Sequence, residues 1–146
     1  MSELDGSSGR DPGVSGAHFQ LYRIPAGSAV GWRLLGGNHR PIGRGAVSYP
    51  ALPECLAAVK EIVDRLAELE SVVTRAPLNR WEWRLRFAGG ADLVVGAHPY
   101  DRRIRAVSAH LHFRSQAATA RIDDAVLVAE ARRGNRRIRE PRMPPR

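Results

Sequence analysis

Trp32-Arg33-Leu34 recurs as Trp83-Arg84-Leu85. The same 51-residue offset carries Gly45-Ala46 onto Gly96-Ala97 and Tyr49 onto Tyr100 with no gap. An ungapped echo of this kind points to a duplicated structural unit, and a fixed internal period constrains a fold more than any local propensity. At 146 residues the chain is one domain, or two half-size units that share one core.

The local patterns repeat in the same order. Phe19 and Leu21 alternate with Gln20 and Tyr22, as in a strand. Gly31 to Leu35 reads as a second strand, Gly36-Gly37-Asn38 as a turn, and Ile42 to Val47 as a third strand. The period then lengthens. Leu52, Cys55, Leu56, Val59, Ile62, Val63, Leu66 and Leu69 fall at helical spacing, with Pro50 and Pro53 in or near the first turn, so a helix is predicted over 51–68. Ser71 to Arg75 is a strand candidate. Trp81, Trp83, Leu85 and Phe87 alternate with charged residues, Gly89-Gly90 turns the chain, and Leu93 to Ala97 returns it. Residues 101–116 fit either period. The repeat decides for helix, because Ala109 falls where Ala58 stands in the first helix. Residues 125–131 read as a closing strand, and Asp123-Asp124 as a turn.

Each copy thus reads aromatic-Arg-Leu, a Gly/Asn turn, a strand, and Gly-small followed by Tyr before a helix. This resembles the YegP-like family, a tandem-repeat domain of unknown function. Trp32-Arg33-Leu34-Leu35, Gly37-Asn38, Ile42-Gly43 and Tyr49 carry the likeness in copy one. Trp83-Arg84-Leu85, Gly89-Gly90, Leu93-Val94-Val95 and Tyr100 carry it in copy two. The family's Asn-Gly turn is Gly-Asn here in the first copy and Gly-Gly in the second. The resemblance implies an α+β fold in which tandem β-β-β-α-β repeats form one antiparallel sheet. Two helices would pack on one face, and the C-terminal strands would be exchanged between repeats. It implies no catalytic residues. The expected organisation is a single domain over 18–131 (repeat one 18–68, repeat two 69–131). It is flanked by a Gly/Ser-rich acidic segment 1–17 and an Arg-rich tail 132–146, both expected to be disordered.

The net charge of +8 suggests an anionic partner, but most of the excess is local. Residues 132–146 hold seven arginines and Glu140, a net +6, whereas residues 1–16 carry −2. Lys60 is the single lysine among 23 basic residues, so arginine is the default cation of this chain. The tail arginines Arg132, Arg133, Arg136, Arg137 and Arg139 are candidates for weak, salt-sensitive, sequence-independent nucleic-acid binding. Arg33, Arg44, Arg84 and Arg86 on the open sheet face, with Tyr22 for stacking, are a second candidate.

Other chemistry is weaker. His98, His110 and His112 are the best metal candidates, but on a helix His110 and His112 diverge, and no carboxylate stands at a ligand spacing. Cys55 is the only cysteine. It lies at an apolar helix position with no cation beside it, so it reads as a core residue. Ser48 lacks a nucleophile elbow. Asp123-Asp124 are paired carboxylates only in sequence. Gly31, Gly36, Gly37, Gly43 and Gly45 lack phosphate-loop spacing. No apolar run approaches the roughly 18 residues of a membrane span. The expectation is a small, monomeric, cytoplasmic, non-catalytic accessory or interaction module that needs no cofactor, with nucleic-acid binding as the alternative.

Overall fold

The alternating segments pair as strands because each has one apolar and one polar face. In the computed structural model, residues 16–25 and 27–127 are described. The elements are β1 (His18–Arg23), β2 (Val30–Leu35), β3 (Pro41–Gly45), α1 (Leu52–Asp64), β4 (Glu70–Ala76), β5 (Arg80–Arg86), β6 (Asp92–Gly96), α2 (Arg103–Thr119) and β7 (Arg121–Leu127). Short 3-10 turns lie at Leu66–Glu68 and Pro77–Asn79. The expectations for residues 1–15 and for the tail, including Arg132, Arg133, Arg136, Arg137 and Arg139, fall outside the described residues.

Among the described residues one seven-stranded sheet has the order β4-β5-β6-β3-β2-β1-β7. Five of the six strand pairings are antiparallel, but β7 lies parallel to β1, so the sheet is mixed rather than wholly antiparallel. The reason is the connection. A hairpin forces its two strands antiparallel, whereas β7 reaches β1 after a helix and is free of that constraint. The strand after each helix sits at a sheet edge, with β4 on β5 and β7 on β1.

Both helices cover one face. α1 packs on β1 and β2, and α2 on β3, β4 and β5. In α1, Cys55, Val59 and Ile62 are buried at i, i+4 and i+7. The helix stops at Asp64, earlier than residue 68, because Arg65 leaves helical dihedrals (φ −114°, ψ 28°) and the chain bends through the 3-10 turn to reach β4. In α2, Ala106, His110, Phe113 and Ala117 form the inward stripe, which settles the 101–116 segment as helix. Trp32, Leu34, Trp83 and Leu85 are fully buried beneath the helices, together with Phe19, Leu21 and Val94. Ala17 is also fully buried, and its carbonyl accepts from the Arg121 N–H at 3.2 Å.

The two hairpins share their registers. Arg33 pairs with Arg44 and Leu34 with Gly43, then the pairing slips before Leu35–Pro41. Fifty-one residues on, Arg84 pairs with Val95 and Leu85 with Val94, and the slip precedes Arg86–Asp92. Tyr49 closes on Val30, and Tyr100 on Trp81, by reciprocal backbone bonds of 2.7–2.8 Å. β3 and β6 join the halves through Gly43–Gly96 and Arg44–Val95.

Candidate functional site

The residues singled out for metal or nucleophilic chemistry do not converge. His110 is buried against Trp83, with ring centroids 6.4 Å apart, whereas His112 is exposed and His98 lies in the loop after β6, 4.6 Å from the Tyr100 ring. Burial, with Arg114 nearby, pushes the His110 imidazole below its ordinary value. Among the described residues no group of three or more His, Cys, Asp or Glu could hold a metal ion. Cys55 is buried, and burial raises its thiol to about 11, so it is a core residue rather than a nucleophile. Ser48 is exposed in the β3–α1 loop. Asp123 and Asp124 lie inside β7, not in a turn, at a register irregularity opposite Gln20 and Leu21.

The open face of the sheet is less basic than its arginine content suggests. Gln20, Arg33, Arg44, Val95 and Arg84 do form one cross-strand row. Arg33 donates to Gln20 Oε1 at 2.7 Å and lies 5.7 Å from the centre of the Tyr22 ring. Arg84, however, is ion-paired with Glu82 and Asp92 at 2.9 Å each, and Arg86 with Asp92 at 2.8 Å. The hydrogen bond from Arg84, reinforced by Arg86, holds the Asp92 carboxyl below the usual carboxylate range. Two of the four candidate cations on this face are therefore already neutralised. The sequence pattern missed Asp92 because the residue opens β6 just past the Gly89-Gly90 turn; its signal is the cross-strand position opposite Arg86.

A groove lies elsewhere, at a place the sequence did not single out. It measures about 740 Å³ and runs between the β2–β3 turn and α2. Gly36, Asn38 and Arg40 form one wall, Ile42 and Tyr100 contribute to the lining, and Ile104, Arg105, Ser108, His112 and Gln116 come from the helix. Backbone bonds fix the turn: the His39 N–H donates to Gly36 O at 2.8 Å, and the Gly36 N–H to Arg40 O at 2.9 Å. Asn38 Oδ1 accepts from the Arg40 N–H at 3.0 Å. That bond and the left-handed His39 (φ 66°) present Arg40 at the rim. Among the described residues no carboxylate lines the groove, and neither the Arg40 nor the Arg105 guanidinium has a hydrogen-bond or ion-pair partner. The volume is within the range of about 300–1,000 Å³ typical of small-molecule sites.

Neither the protein-family models nor the curated proteins contain a match to this chain. Two solved structures do match it. One is a UPF0339 protein from Shewanella oneidensis, with a TM-score of 0.63 and 13% identity over 79% of this chain and 94% of that one. The other is yegP from E. coli, a protein of unknown function, with a TM-score of 0.58 and 13% identity over 75% and 93%. The fold is YegP-like. At that identity the likeness concerns the fold alone. Among the described residues no helix is long and apolar enough to cross a membrane.

Proposed function

We propose that this chain is a monomeric, non-catalytic binding or accessory module of the cytoplasm. The observation that carries the reading is the groove beside α2. It combines apolar walls with two unpaired cations, while the groups able to do acid–base or nucleophilic work are buried, paired or dispersed. Incubating the full chain with a metabolite extract and following every compound by mass spectrometry tests this. Retention of ligands without turnover is expected, and consumption of any compound that depends on the protein overturns it.

The module arose, on this reading, by tandem duplication, with the last strand of each half carried to the far edge of the other. The equal registers of the two hairpins, and the placement of β7 of the second half on β1 of the first, support this. A half built this way lacks an edge strand and the core residues supplied by the other half, such as Phe113, whose ring centre lies 6.4 Å from that of Trp32. Residues 18–70 expressed alone should be unfolded or self-associated, and a stable monomer refutes the exchange.

The concentration of +6 in residues 132–146 favours a second activity, weak binding to DNA or RNA. With Arg84 and Arg86 paired, the tail carries this reading rather than the sheet face. Deleting residues 132–146 should abolish low-salt binding. Equal binding with and without the tail, or none at all, removes the idea.

A further inference from the structure

We propose that the groove between the β2–β3 turn and α2 binds a small organic anion, a bulky apolar body such as an aryl group carrying a carboxylate or phosphate head. This deepens the binding-module reading and rests on it.

The equivalent place in the other half holds the parts that this groove lacks. The 51-residue offset relates the β2–β3 turn to the β5–β6 turn, and α2 to α1. There, the β5–β6 turn and the end of α1 meet through side chains. Phe87 stands where Gly36 stands, and Arg65 where Gln116 stands. The Arg65 guanidinium lies 4.0 Å from the centre of the Phe87 ring. Glu61 at 2.9 Å and Glu68 at 2.8 Å neutralise it. That half is therefore filled by an aromatic ring and closed by a cation paired with carboxylates.

The open half lacks each of these parts. Gly36 supplies no ring, Gln116 no capping cation, and His112 replaces the carboxylate of Glu61. The charges that remain are positive: Arg105 occupies the position of Glu54, and Arg40 that of Ala91. The walls thus lack a ring-sized apolar group and a negative charge, which a single aryl or alkyl anion supplies together. A guanidinium is suited to either head, since its planar fork meets carboxylate and phosphate oxygens in pairs.

The test is an amide-shift titration of the full chain by NMR. The probes are 3-phenylpropionate and phenyl phosphate, with neutral 3-phenylpropanamide and bodiless acetate as controls. At least one anionic aryl probe should shift Asn38, Arg105 and Ser108 at up to about 10 mM, the affinity expected of a fragment. Whichever of the two binds more tightly identifies the head. The controls should bind about tenfold more weakly or not at all. Arg40→Gln/Arg105→Gln should weaken the anionic probe about tenfold. Gly36→Phe/Gln116→Arg, which rebuilds the seal of the other half, should abolish binding. No shift at the groove with either anion, equal shifts with the amide, or indifference to Arg40→Gln/Arg105→Gln overturns the proposal. A failure here leaves the non-catalytic reading standing, because that reading is judged by turnover in the metabolite extract.

Discussion

Gly96→Ala should destabilise the domain, although the backbone argument alone predicts the opposite. Glycine within a strand costs roughly 0.5–1 kcal/mol relative to alanine, so a neutral site would gain that much on substitution. Gly96 is not a neutral site. A Cβ built on it would lie 2.5 Å from Trp83 Nε1, 2.8 Å from Cε2 and 2.9 Å from Cδ1. Ordinary carbon contacts sit at about 3.5–4.0 Å, so the new methyl lies about 1 Å inside contact with the indole. The ring has nowhere to go: it is fully buried, with the Phe113 ring 5.4 Å away and His110 6.4 Å away. Overpacking of this kind costs about 1–3 kcal/mol. Urea unfolding at 25 °C reads the change as a lower midpoint at constant slope. Gly27→Ala is the control, since a Cβ there meets nothing within 4 Å; it should be neutral or stabilising by up to about 1 kcal/mol. A double-mutant cycle with Trp83→Leu assigns the cause, because the penalty of Gly96→Ala should largely vanish once the indole is gone. If Gly96→Ala costs no more than Gly27→Ala, or if its cost persists beside Leu at position 83, the reasoning is wrong. The same test applies to Gly45, where a Cβ would lie 2.6 Å from Trp32 Nε1.

The Cys55 thiol, raised to about 11 by burial, should react with a thiol reagent at pH 8 only on unfolding; native labelling as fast as that of free cysteine contradicts this. Arg114 donates to Leu66 O at 2.9 Å and Leu69 O at 2.7 Å, tying α2 to the bend before β4. Arg114→Met should cost about 1–3 kcal/mol in urea unfolding, and a loss no larger than that of the exposed Arg103→Met counts against the tie. Burial lowers the imidazole pKa of both His18 and His110, so the unfolded chain binds more protons than the folded one below pH 6.5. Stability is therefore full above pH 6.5 and falls as the pH drops through that value. His18→Leu/His110→Leu should flatten the acid side of a stability-versus-pH curve, and an unchanged slope refutes the assignment.

The parts of the fold that were legible are those where two side chains impose a joint demand. A fully buried indole lying on a strand neighbour leaves room only for glycine there, so Trp32 with Gly45 and Trp83 with Gly96 appear as pairs at one spacing. That spacing also decided α2, whose own pattern was ambiguous because its inward stripe, Ala106, His110, Phe113 and Ala117, mixes small, polar and aromatic residues. The direction of β7 was not legible. Strand polarity after a crossover depends on where the helix ends over the sheet, and no residue of Arg121–Leu127 encodes it. The end of α1 was missed for a related reason. Leu66 and Leu69 keep helical spacing after the helix has stopped, because the 3-10 turn still delivers Leu69 to the core.

The groove escaped a sequence reading because it is made by subtraction. Motif reading looks for residues that are present, such as paired carboxylates, clustered histidines or glycine-rich loops, and each of those found here serves structure or is dispersed. What opens the groove is the lack of a ring at Gly36 and of a capping arginine at Gln116, and neither residue draws notice alone. Both become visible only when one half of the sheet is laid on the other, where Phe87 and Arg65 fill the same place. The two halves are alike where they build the sheet, through the tryptophans, the glycines beneath them and the closing tyrosines. They part where a helix meets the opposite turn. Packing constrains the first set tightly, since each member touches another, whereas the second set is free of that joint demand. A site for a ligand is therefore to be sought where the echo breaks, and the Gly36→Phe/Gln116→Arg variant, by restoring the echo, should close it.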